Sequence, residues 1–541
     1  METDKYISEG KLYEKIKFLN SGAFASVYKV KNAKNNHYAM KIFKSSKHDG
    51  IPIDVLREIT ILKTIKCPHV ISLIDVDNID FNYIILPLYR ITLNNYIKTA
   101  SQNHQNNNLL QYQIKNIFHK ICLGIYSLHS NGIIHRDIKT SNICLSSSNF
   151  TEDIQVVLID CGLSKKIDYD RHSGNKTPTI CSLYYQPPEI VCKYKEYSFE
   201  VDIWSAGCVL AEMYLKVPLF PAKSEIELLD RQAKLVGVNK NNLQFHCTLI
   251  GYTECNIKKY FANDVSELLI NMLKFNPLER HTIADCLNSS YFDNGFYNIS
   301  SQSEISDLRI YKESSVLYED QLKAWKSTLY FKENINDRIS FKFRRVLICW
   351  LYDLCIFYNI QASTYFTCIM ILDFFSIVHT DIEKHNYQLL GLSSLLIATK
   401  LDTKNLLTIE KLLKFCRDDY DDGFYTVAEL LEAEKFIFKT IDINFPNLYN
   451  YFSASNEAIS KGYLTPLNEK EKERLYKYLI VIILYPDYYR HRFSVIVRCC
   501  TYLCSLEKRE ELDEEYLFCL KDIQKWFNDY LGNSIKYSIK I

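Results

Sequence analysis

The stretch His135-Arg136-Asp137-Ile138-Lys139-Thr140-Ser141-Asn142 decides the fold of the first half of the chain. It sets a carboxylate at position 137, an ammonium group at position 139 and an amide at position 142. A carboxylate can take the proton of an attacking hydroxyl, an ammonium group can neutralise a phosphate, and an amide oxygen can bind Mg²⁺. This spacing is typical of a site for phosphoryl transfer.

Further motifs occur in a fixed order around this stretch. Tyr38-Ala-Met-Lys41 precedes it, and Asp160-Cys-Gly, Pro187-Pro-Glu189 and Asp202-Ile-Trp-Ser-Ala-Gly207 follow it. In this combination the first half of the chain resembles the protein kinase family. The resemblance implies an α+β bilobal protein kinase fold with ATP in the cleft between the lobes.

The resemblance also implies a role for each polar residue of the site. Lys41 would bind the α- and β-phosphates of ATP, and Glu58 would pair with Lys41 from the helix that follows its strand. Asp137 would accept the proton of the substrate hydroxyl, and Lys139 would steady the transferred phosphate. These four residues are the predicted catalytic set.

Asn142 and Asp160 would bind Mg²⁺, so ATP and Mg²⁺ are the implied cofactors. Two departures from the family lie nearby. Cys161 stands where the family has Phe. The family also has three glycines in the loop from Asn20 to Val27, and only the middle one, Gly22, is present here. A catalytically inactive scaffold that gathers partners is therefore an alternative. We expect an active enzyme, because the lysine, the base and the metal aspartate are all present.

Periodicity predicts how the chain is divided. Residues 12–89 alternate short β-like runs, among them Ile71 to Asp75, with one helical segment, and residues 109–292 are mostly helical. We predict a kinase domain over 1–293, with a small lobe at about 1–88 and a large lobe at about 89–293. Residues 294–314 are polar and rich in Ser and Asn, which predicts a linker.

Composition excludes several classes of protein. The formal net charge is +1 without a basic or acidic block, which argues against direct nucleic-acid binding. The uncharged apolar runs fall short of the ~20 residues that a membrane span needs, and the N-terminal residues do not resemble a signal peptide. The 18 cysteines lie in apolar patterns without a C-x-x-C pair, as reduced core thiols do. We expect an intracellular protein of the cytoplasm, the nucleus or both.

The abundance of Asn, Ile, Lys, Tyr and Phe fits an A/T-rich genome, such as that of a large DNA virus or a protist.

The stretch Gly50-Ile-Pro-Ile-Asp-Val-Leu-Arg-Glu58 narrows the resemblance. It is similar to the helix that cyclin-dependent kinases dock against their cyclin. The similarity implies that Leu19, Val27, Ala39 and Cys144 sandwich adenine, and that the Pro87 carbonyl and the Tyr89 backbone bond its edge. Together with Gly22 and Lys41, these are the predicted ATP-binding residues.

Thr177 lies in Lys-Thr-Pro, at the distance before Pro-Pro-Glu where these kinases carry an activating phosphothreonine. A phosphate there would be received by Arg57, Arg136 and Lys165. An unmodified, exposed loop threonine is the alternative. The phosphate would come from another kinase or from self-phosphorylation.

Two further departures concern regulation and specificity. The inhibitory Thr-Tyr pair of the family falls on Ala23 and Phe24, so the usual inhibitory phosphorylation is not expected. The Arg that shapes the family's proline pocket falls on Gln186, and a neighbouring Val falls on Cys181. Protein Ser/Thr substrates with proline after the phosphoacceptor remain the prediction.

The second half of the chain predicts an all-α region. The stretch Phe343-Arg-Arg-Val-Leu-Ile-Cys-Trp350-Leu351 resembles the first helix of a cyclin box, and later segments resemble its second, third and fifth helices. The resemblance implies an all-α cyclin fold with a buried Arg344–Asp373 pair, and an interface in which Lys400 and Glu434 bond the backbone near Pro52 to Glu58. The structural and interface residues of this part are Arg344, Asp373, Leu389, Lys400 and Glu434.

Two domain predictions follow for this half: 315–448 as an N-terminal helix with a cyclin box, and 449–541 as a degenerate second box. The docking helix of cyclins would fall on Val316 to Ser327. A groove that recruits basic-hydrophobic substrate motifs would be lined by Phe343, Val346, Leu347, Trp350, Asp353 and Gln388. Packing of an ordinary exposed face is one alternative to this groove. For the whole half, a wider cyclin-box fold that recruits another partner is the alternative. The expected partners are protein substrates and an intramolecular kinase–cyclin interface that activates the enzyme in cis.

Overall fold

A computed structural model describes most of the chain and groups it into two compact units. The first unit comprises Met1–Ser46, Pro52–Ile167 and Arg171–Lys312, and the second Lys47–Ile51, Asp168–Asp170 and Glu313–Ile541. The described residues are 5–8, 11–22, 25–44, 50–77, 80–102, 111–149, 154–166, 182–194, 197–238, 254–292, 341–379, 382–401, 407–415, 425–444, 469–484, 496, 499–500 and 518–526.

The first unit begins with a six-stranded antiparallel sheet in the order β1-β2-β3-β4-β6-β5. Its strands are β1 Lys5–Ser8, β2 Lys11–Ser21, β3 Ala25–Asn32, β4 His37–Phe43, β5 Asp75–Val76 and β6 Tyr83–Pro87. One helix, α1 (Ile53–Thr64), lies between β4 and β5 in the chain. Alternate residues of the strands form the core on one face, with Tyr13, Val30, Met40, Tyr83 and Ile85 all buried.

The strand predicted over Ile71 to Asp75 is wrong except at its last residue, since β5 covers only Asp75–Val76. The Ile71 amide donates to the Leu158 carbonyl, in a strand of the helical part, over 2.9 Å, and only at Ile74, whose amide donates to Ile85 of β6 over 2.9 Å, does the segment join the six-stranded sheet.

The rest of the first unit is mainly helical. Its helices are α2 Leu93–Gln102, α3 Gln111–Ser130, α4 Pro188–Val191, α5 Glu200–Leu215, α6 Glu225–Val236, α7 Asn263–Met272 and α8 Ile283–Leu287. Helix α5 is buried from Val201 to Met213, as expected for a mainly apolar helix in the centre of a lobe. Five short strands complete this part, namely β7 Ile91–Thr92, β8 Ile133–Ile134, β9 Ile143–Leu145, β10 Val156–Leu158 and β11 Lys165–Lys166.

All the regular secondary structure described in the second unit is helical. Its helices are α9 Phe341–Phe357, α10 Ala362–Val378, α11 Lys384–Leu401, α12 Ile409–Lys414, α13 Val427–Asn444 and α14 Glu469–Ile483. Helix α11 packs against α9, α10 and α13. A Cβ at Gly391 would lie 3.2 Å from both methyl groups of Leu347, so the glycine permits the close approach of α11 to α9.

Several predicted features lie outside the described residues. They are the linker 294–314, the docking helix Val316 to Ser327, and the loop residues Ala23, Phe24, Thr177 and Cys181. Across the ranges that are described, no helix combines the length and the apolar character needed to cross a bilayer.

Candidate active site

Three charged side chains meet at the predicted phosphate site. Lys41 lies in β4 and Glu58 in α1, and the Lys41 Nζ donates to both carboxylate oxygens of Glu58 over 2.7 and 2.6 Å. It also donates to Asp160 Oδ1 over 2.8 Å. Burial alone would lower the pKa of Lys41, but the two carboxylates outweigh it and raise the pKa. Lys41 is therefore held as a fixed cation.

Asp160 sits in a left-handed backbone conformation with φ of 66°. Burial would raise the pKa of its carboxyl, but the adjacent Lys41 lowers it below the usual range, so the group is ionised. A Cβ at Gly162 would lie 3.4 Å from Asp160 Oδ1 and 3.5 Å from Glu58 Oε2, in ordinary van der Waals contact, so Gly162 lies directly beside this cluster. Between them, the Cys161 side chain is fully buried, and burial raises the pKa of its thiol to about 12. It is a small, neutral core residue.

The catalytic loop is held from below by Asp202 at the start of α5. Asp202 accepts the backbone N–H groups of His135 and Arg136 over 2.7 and 2.8 Å. These bonds fix Arg136 at a φ of 68°, a backbone conformation that residues other than glycine rarely adopt. Burial would raise the pKa of Asp202, but His129 and His135 lower it. The strained turn therefore rests on a buried carboxylate.

The loop brings the predicted base, lysine and amide together. Lys139 Nζ donates to Asp137 Oδ2 over 2.8 Å, and Asn142 Nδ2 donates to the same oxygen over 2.8 Å. Ser182 was missed by sequence reasoning. Its hydroxyl donates to Asp137 Oδ1 over 3.2 Å and accepts from Lys139 over 2.8 Å. A hydroxyl at a fixed distance before Pro187-Pro-Glu189 is the signal that could have identified it.

The predicted metal ligands fit Mg²⁺. Asn142 uses its Nδ2 to donate to Asp137, which leaves the amide oxygen Oδ1 for a metal. Asp160 uses Oδ1 toward Lys41, which leaves Oδ2. A carboxylate and an amide oxygen are the donors that this hard cation takes, with water and phosphate oxygens in the remaining positions.

Most of the predicted adenine residues lie on neighbouring strands. Ala39 faces Leu86 in the register between β4 and β6, and Val27 of β3 faces Lys41. Cys144 lies in β9, where burial raises the pKa of its thiol to about 12. Burial, with a smaller contribution from Cys144, raises the pKa of the Tyr89 hydroxyl.

The edge of the adenine site and the glycine-poor loop are more open. Pro87 ends β6 opposite Tyr38, and Leu19 in β2 is 43% exposed. Gly22 follows β2, and its carbonyl accepts a 2.7 Å bond from Lys44 Nζ. Lys44 also donates to Ser21 Oγ over 2.9 Å, so a lysine side chain ties this loop to the sheet.

The residues predicted to receive the phosphate of Thr177 are only partly described. Arg136 donates through Nε to the Leu163 carbonyl over 2.6 Å and through Nη1 to the Tyr197 hydroxyl over 3.1 Å. Arg57 is half-buried in α1, and Lys165 lies in β11. Their convergence on a phosphate stays a prediction.

The frame of the large lobe rests on one buried ion pair. Arg280 donates to both carboxylate oxygens of Glu189 over 2.6 and 2.7 Å, and neither side chain is exposed. The Arg280 guanidinium also lies over the Trp204 ring at 5.0 Å. A bidentate pair of this kind fixes the Pro-Pro-Glu segment against α5.

A second buried arginine organises the helical unit. Arg344 in α9 donates to both carboxylate oxygens of Asp373 in α10, each over 2.6 Å. Its third donor bonds the Ile483 carbonyl over 2.8 Å at the end of α14. Arg345 bonds the next carbonyl, that of Leu484, over 3.3 Å. Helix α14 is therefore attached to the box helices by an arginine that already holds α10.

Lys400 and Glu434 bind a backbone segment from the first half of the chain that belongs to the second unit. Lys400 Nζ donates to Glu434 Oε1 over 2.5 Å and to the Ile51 carbonyl over 3.0 Å. Glu434 Oε2 accepts the Ile51 N–H over 3.2 Å. Burial raises the pKa of Glu434, although Lys400 and the Ile51 N–H lower it in part. Both polar groups of Ile51 are thus matched by one charged pair.

Gly50 leaves no space for a side chain at this point. Its φ is 72°, and a Cβ there would lie 2.1 Å from Glu434 Oε2 and 2.7 Å from Leu431 Cδ2. Both the backbone conformation and the close approach require glycine.

The predicted docking groove is partly exposed. Phe343 and Val346 are 37% and 51% exposed, and Trp350 and Gln388 are half-buried. Leu347 is buried against Gly391, so it supports this face from inside. Leu389 is buried as well. Asp353 is exposed near the groove, and partial burial raises its pKa.

Comparisons with known proteins match both halves. A model described as protein kinase domain matches residues 13–292, and one described as cyclin, N-terminal domain, matches residues 313–445. A probable CTD kinase subunit alpha homolog of Encephalitozoon cuniculi (strain GB-M1) is 30% identical over 295 residues, which make up 52% of this chain and 84% of that protein. Cyclin-dependent kinase 10 of Homo sapiens is 27% identical over 52% of this chain and 80% of its own length. Cyclin-dependent kinase 11B of Homo sapiens is 29% identical over 51% of this chain, but only 35% of its own length is covered.

Proposed function

Because the chain belongs to the protein kinase family, as a kinase of the cyclin-dependent type with a cyclin N-terminal domain in the same chain, we propose that it transfers the γ-phosphate of ATP to Ser and Thr residues of proteins. The observation that carries the proposal is the Lys41 ammonium held within 2.8 Å of both Glu58 and Asp160. This cluster places a fixed cation beside a metal-binding carboxylate, as phosphoryl transfer needs.

The residues of the loop divide the remaining work. When bound, ATP would supply the phosphoryl group, and Mg²⁺ would neutralise part of the charge of its phosphates. Asp137 is oriented by Asn142, Lys139 and Ser182, so its carboxylate can accept the proton of an incoming hydroxyl. Lys139 lies next to it and can neutralise the phosphate during transfer. The Asp137 carboxylate and the Lys41 cluster together define where acceptor and donor meet.

We infer that the cyclin domain activates the kinase in cis. Lys400 and Glu434 fix Ile51, and Pro52 after it is the N-terminal cap of the helix that carries Glu58. Charge-assisted bonds at this point would hold α1 in the position that brings Glu58 to Lys41. Because both partners share one chain, their effective concentration is on the order of millimolar. Activation would then be independent of a separate cyclin.

The proline-directed preference is a finer part of the proposal. Gln186 replaces the family arginine and is buried, with its carbonyl accepting a 2.7 Å bond from Gln232. We propose that the segment around Gln186 still favours proline after the phosphoacceptor.

A degenerate Ser/Thr peptide library with radiolabelled ATP tests the catalytic proposal and the proline preference together. Transfer should be lost in Asp137→Asn and in Asp160→Asn. The residue selected after the phosphoacceptor reports on Gln186. Absence of transfer by folded protein with phosphorylated Thr177 would instead favour the scaffold, for which Cys161 and the glycine-poor loop are the supporting observations.

Activation in cis has its own test. Lys400→Ala with Glu434→Ala, and separately Gly50→Ala, should each lower peptide phosphorylation by tenfold or more while nucleotide binding persists, since the loss of even one charged hydrogen bond is worth about tenfold. The matched control is Glu410→Ala with Lys411→Ala, an exposed pair on α12. Wild-type activity in the Lys400/Glu434 double variant would contradict cis activation and leave the kinase proposal standing.

A further inference from the structure

Thr140 belongs to the catalytic loop, but its side chain is only 1% exposed and points to no solvent. Its hydroxyl donates to Glu212 Oε1 over 3.1 Å and lies 3.1 Å from the Tyr185 hydroxyl. Tyr185 donates to the other oxygen of the same carboxylate, Glu212 Oε2, over 2.6 Å. The three side chains form a closed triangle in which one carboxylate accepts from two hydroxyls.

The triangle joins three separate parts of the large lobe. Thr140 begins the 3₁₀ turn Thr140–Asn142 of the catalytic loop, directly after Lys139. Tyr185 ends the turn Leu183–Tyr185, and Glu212 lies in the last turns of α5. Thr140 donates to one carboxylate oxygen of Glu212 and Tyr185 to the other, so both hydroxyls are directed toward Glu212. Burial raises the pKa of Glu212, while the bonds from Tyr185 and Thr140 lower it in part.

The segment 182–186 is also anchored on its other sides. Ser205 of α5 donates to the Tyr185 carbonyl over 2.9 Å, and Gln232 of α6 donates to the Gln186 carbonyl over 2.7 Å. On the side of the reacting groups, Ser182 donates to Asp137 over 3.2 Å. The segment therefore carries a contact to the base at one end and Gln186 at the other, and the Thr140 triangle lies between them.

We propose that Thr140 is a positioning residue for the phosphoacceptor peptide, which acts through Tyr185 and Glu212 to set segment 182–186 against Asp137. This inference rests on the proposed kinase function. Thr140 fixes the distance between the base and the backbone that would bind the residue after the phosphoacceptor. Among the described hydrogen bonds it has no contact with the Lys41 cluster, and its side-chain bonds run to Tyr185 and Glu212, so we expect its loss to act first on the acceptor side.

Thr140→Val tests the proposal because it keeps the volume and removes the hydroxyl. We expect kcat/KM for an acceptor peptide to fall about 10- to 100-fold, the range for losing a buried hydrogen bond, while KM for ATP stays the same. Thr140→Ser keeps the hydroxyl and should remain within about twofold of wild type. Tyr185→Phe should give a similar loss, and the double variant Thr140→Val with Tyr185→Phe should lose less than the product of the two.

A second measurement does not depend on activity. Hydrogen exchange of the Tyr185 and Gln186 amides, which bond the Ser182 and Leu183 carbonyls, should accelerate in Thr140→Val and remain slow in Thr140→Ser. If wild type transfers no phosphate, the kinase proposal fails, and this exchange result alone decides the role of Thr140. The inference is overturned if Thr140→Val keeps both wild-type peptide kcat/KM and wild-type exchange. It is equally overturned if KM for ATP rises as much as KM for the peptide, since that pattern marks a general structural defect.

Discussion

Each unit contains a buried lysine–glutamate pair, and the two pairs are used differently. Lys41 lies between two carboxylates, Glu58 and Asp160, so the cation is shared. Lys400 pairs with the Glu434 carboxylate and also donates to the backbone carbonyl of Ile51. The first arrangement prepares a charge for a ligand, whereas the second holds a piece of chain.

The pKa values of the carboxylates beside the two lysines shift in opposite directions. Burial is offset by Lys41 at Asp160, whose pKa falls below the ordinary value. At Glu434 burial outweighs Lys400 and the Ile51 N–H, and the pKa rises. An ionised carboxylate with a free oxygen suits a metal, while a carboxylate with both oxygens engaged suits a structural clamp. Similar residue types therefore acquire different functions from their third partner.

The largest effect is expected at the catalytic base. Asp137→Asn removes the proton acceptor but keeps an acceptor oxygen for Lys139, so peptide phosphorylation should fall about 10²- to 10⁴-fold with little change in stability. Steady-state transfer to a peptide, together with a thermal melt, measures both quantities. Ser182→Ala is the matched control, because it removes only one hydrogen bond to the same carboxylate and should cost far less. A loss in Ser182→Ala equal to that in Asp137→Asn would mean that orientation, and not proton transfer, limits the rate.

The residues of these two pairs could be predicted from the sequence where they stand in a recognisable motif. Lys41, Glu58 and Asp160 each stand in a short motif with fixed neighbours, so their meeting follows from the family pattern. Lys400 and Glu434 were also predicted, because the helical segments resemble a cyclin box. The Thr140–Tyr185–Glu212 triangle was not predicted, since its members lie 45, 72 and 27 positions apart and no motif links them to one another. Spacing along a chain encodes local geometry, whereas a hydroxyl or a carbonyl partner across the fold depends on tertiary packing.

The clamp offers the next largest effect, measured as stability. Lys400→Met leaves Glu434 buried without its cation, which should destabilise the second unit by about 3–5 kcal/mol. Lys400→Met with Glu434→Leu removes both charges and should recover much of this loss. Urea unfolding of the full chain, monitored by hydrogen exchange in peptides of α11 and α13, gives the unfolding midpoint of each variant. Equal midpoints for the single and double variants would contradict this prediction, because they would show that Glu434 without its cation costs no stability.

Cys161 provides a test of the catalytic side with a smaller expected effect. Its side chain is fully buried, so Cys161→Phe adds volume to a packed site and should cost about 1–3 kcal/mol. Cys161→Ala only removes a sulfur atom and should cost about 1 kcal/mol. The thermal midpoint of each variant, with and without ATP, measures the change. A Phe variant that is more stable than wild type would show that the pocket still accommodates the aromatic ring typical of the family.

The smallest expected effect concerns pH in the kinase half. Burial lowers the pKa of His119 from 6.5 to about 4, and His69 is shifted in the same direction by burial. Between pH 6.5 and pH 4, His119 binds a proton in the unfolded chain but not in the folded one. Its contribution to the stability of the fold is therefore complete above pH 6.5 and is lost as the pH drops toward 4. For His119 alone the loss between pH 7 and pH 5.5 should be roughly 1 kcal/mol. Urea midpoints read from exchange in α3 peptides across this range would measure it. His119→Gln removes the titrating ring and should flatten the slope, and an unchanged slope in that variant would assign the acid sensitivity to His69 or to another group.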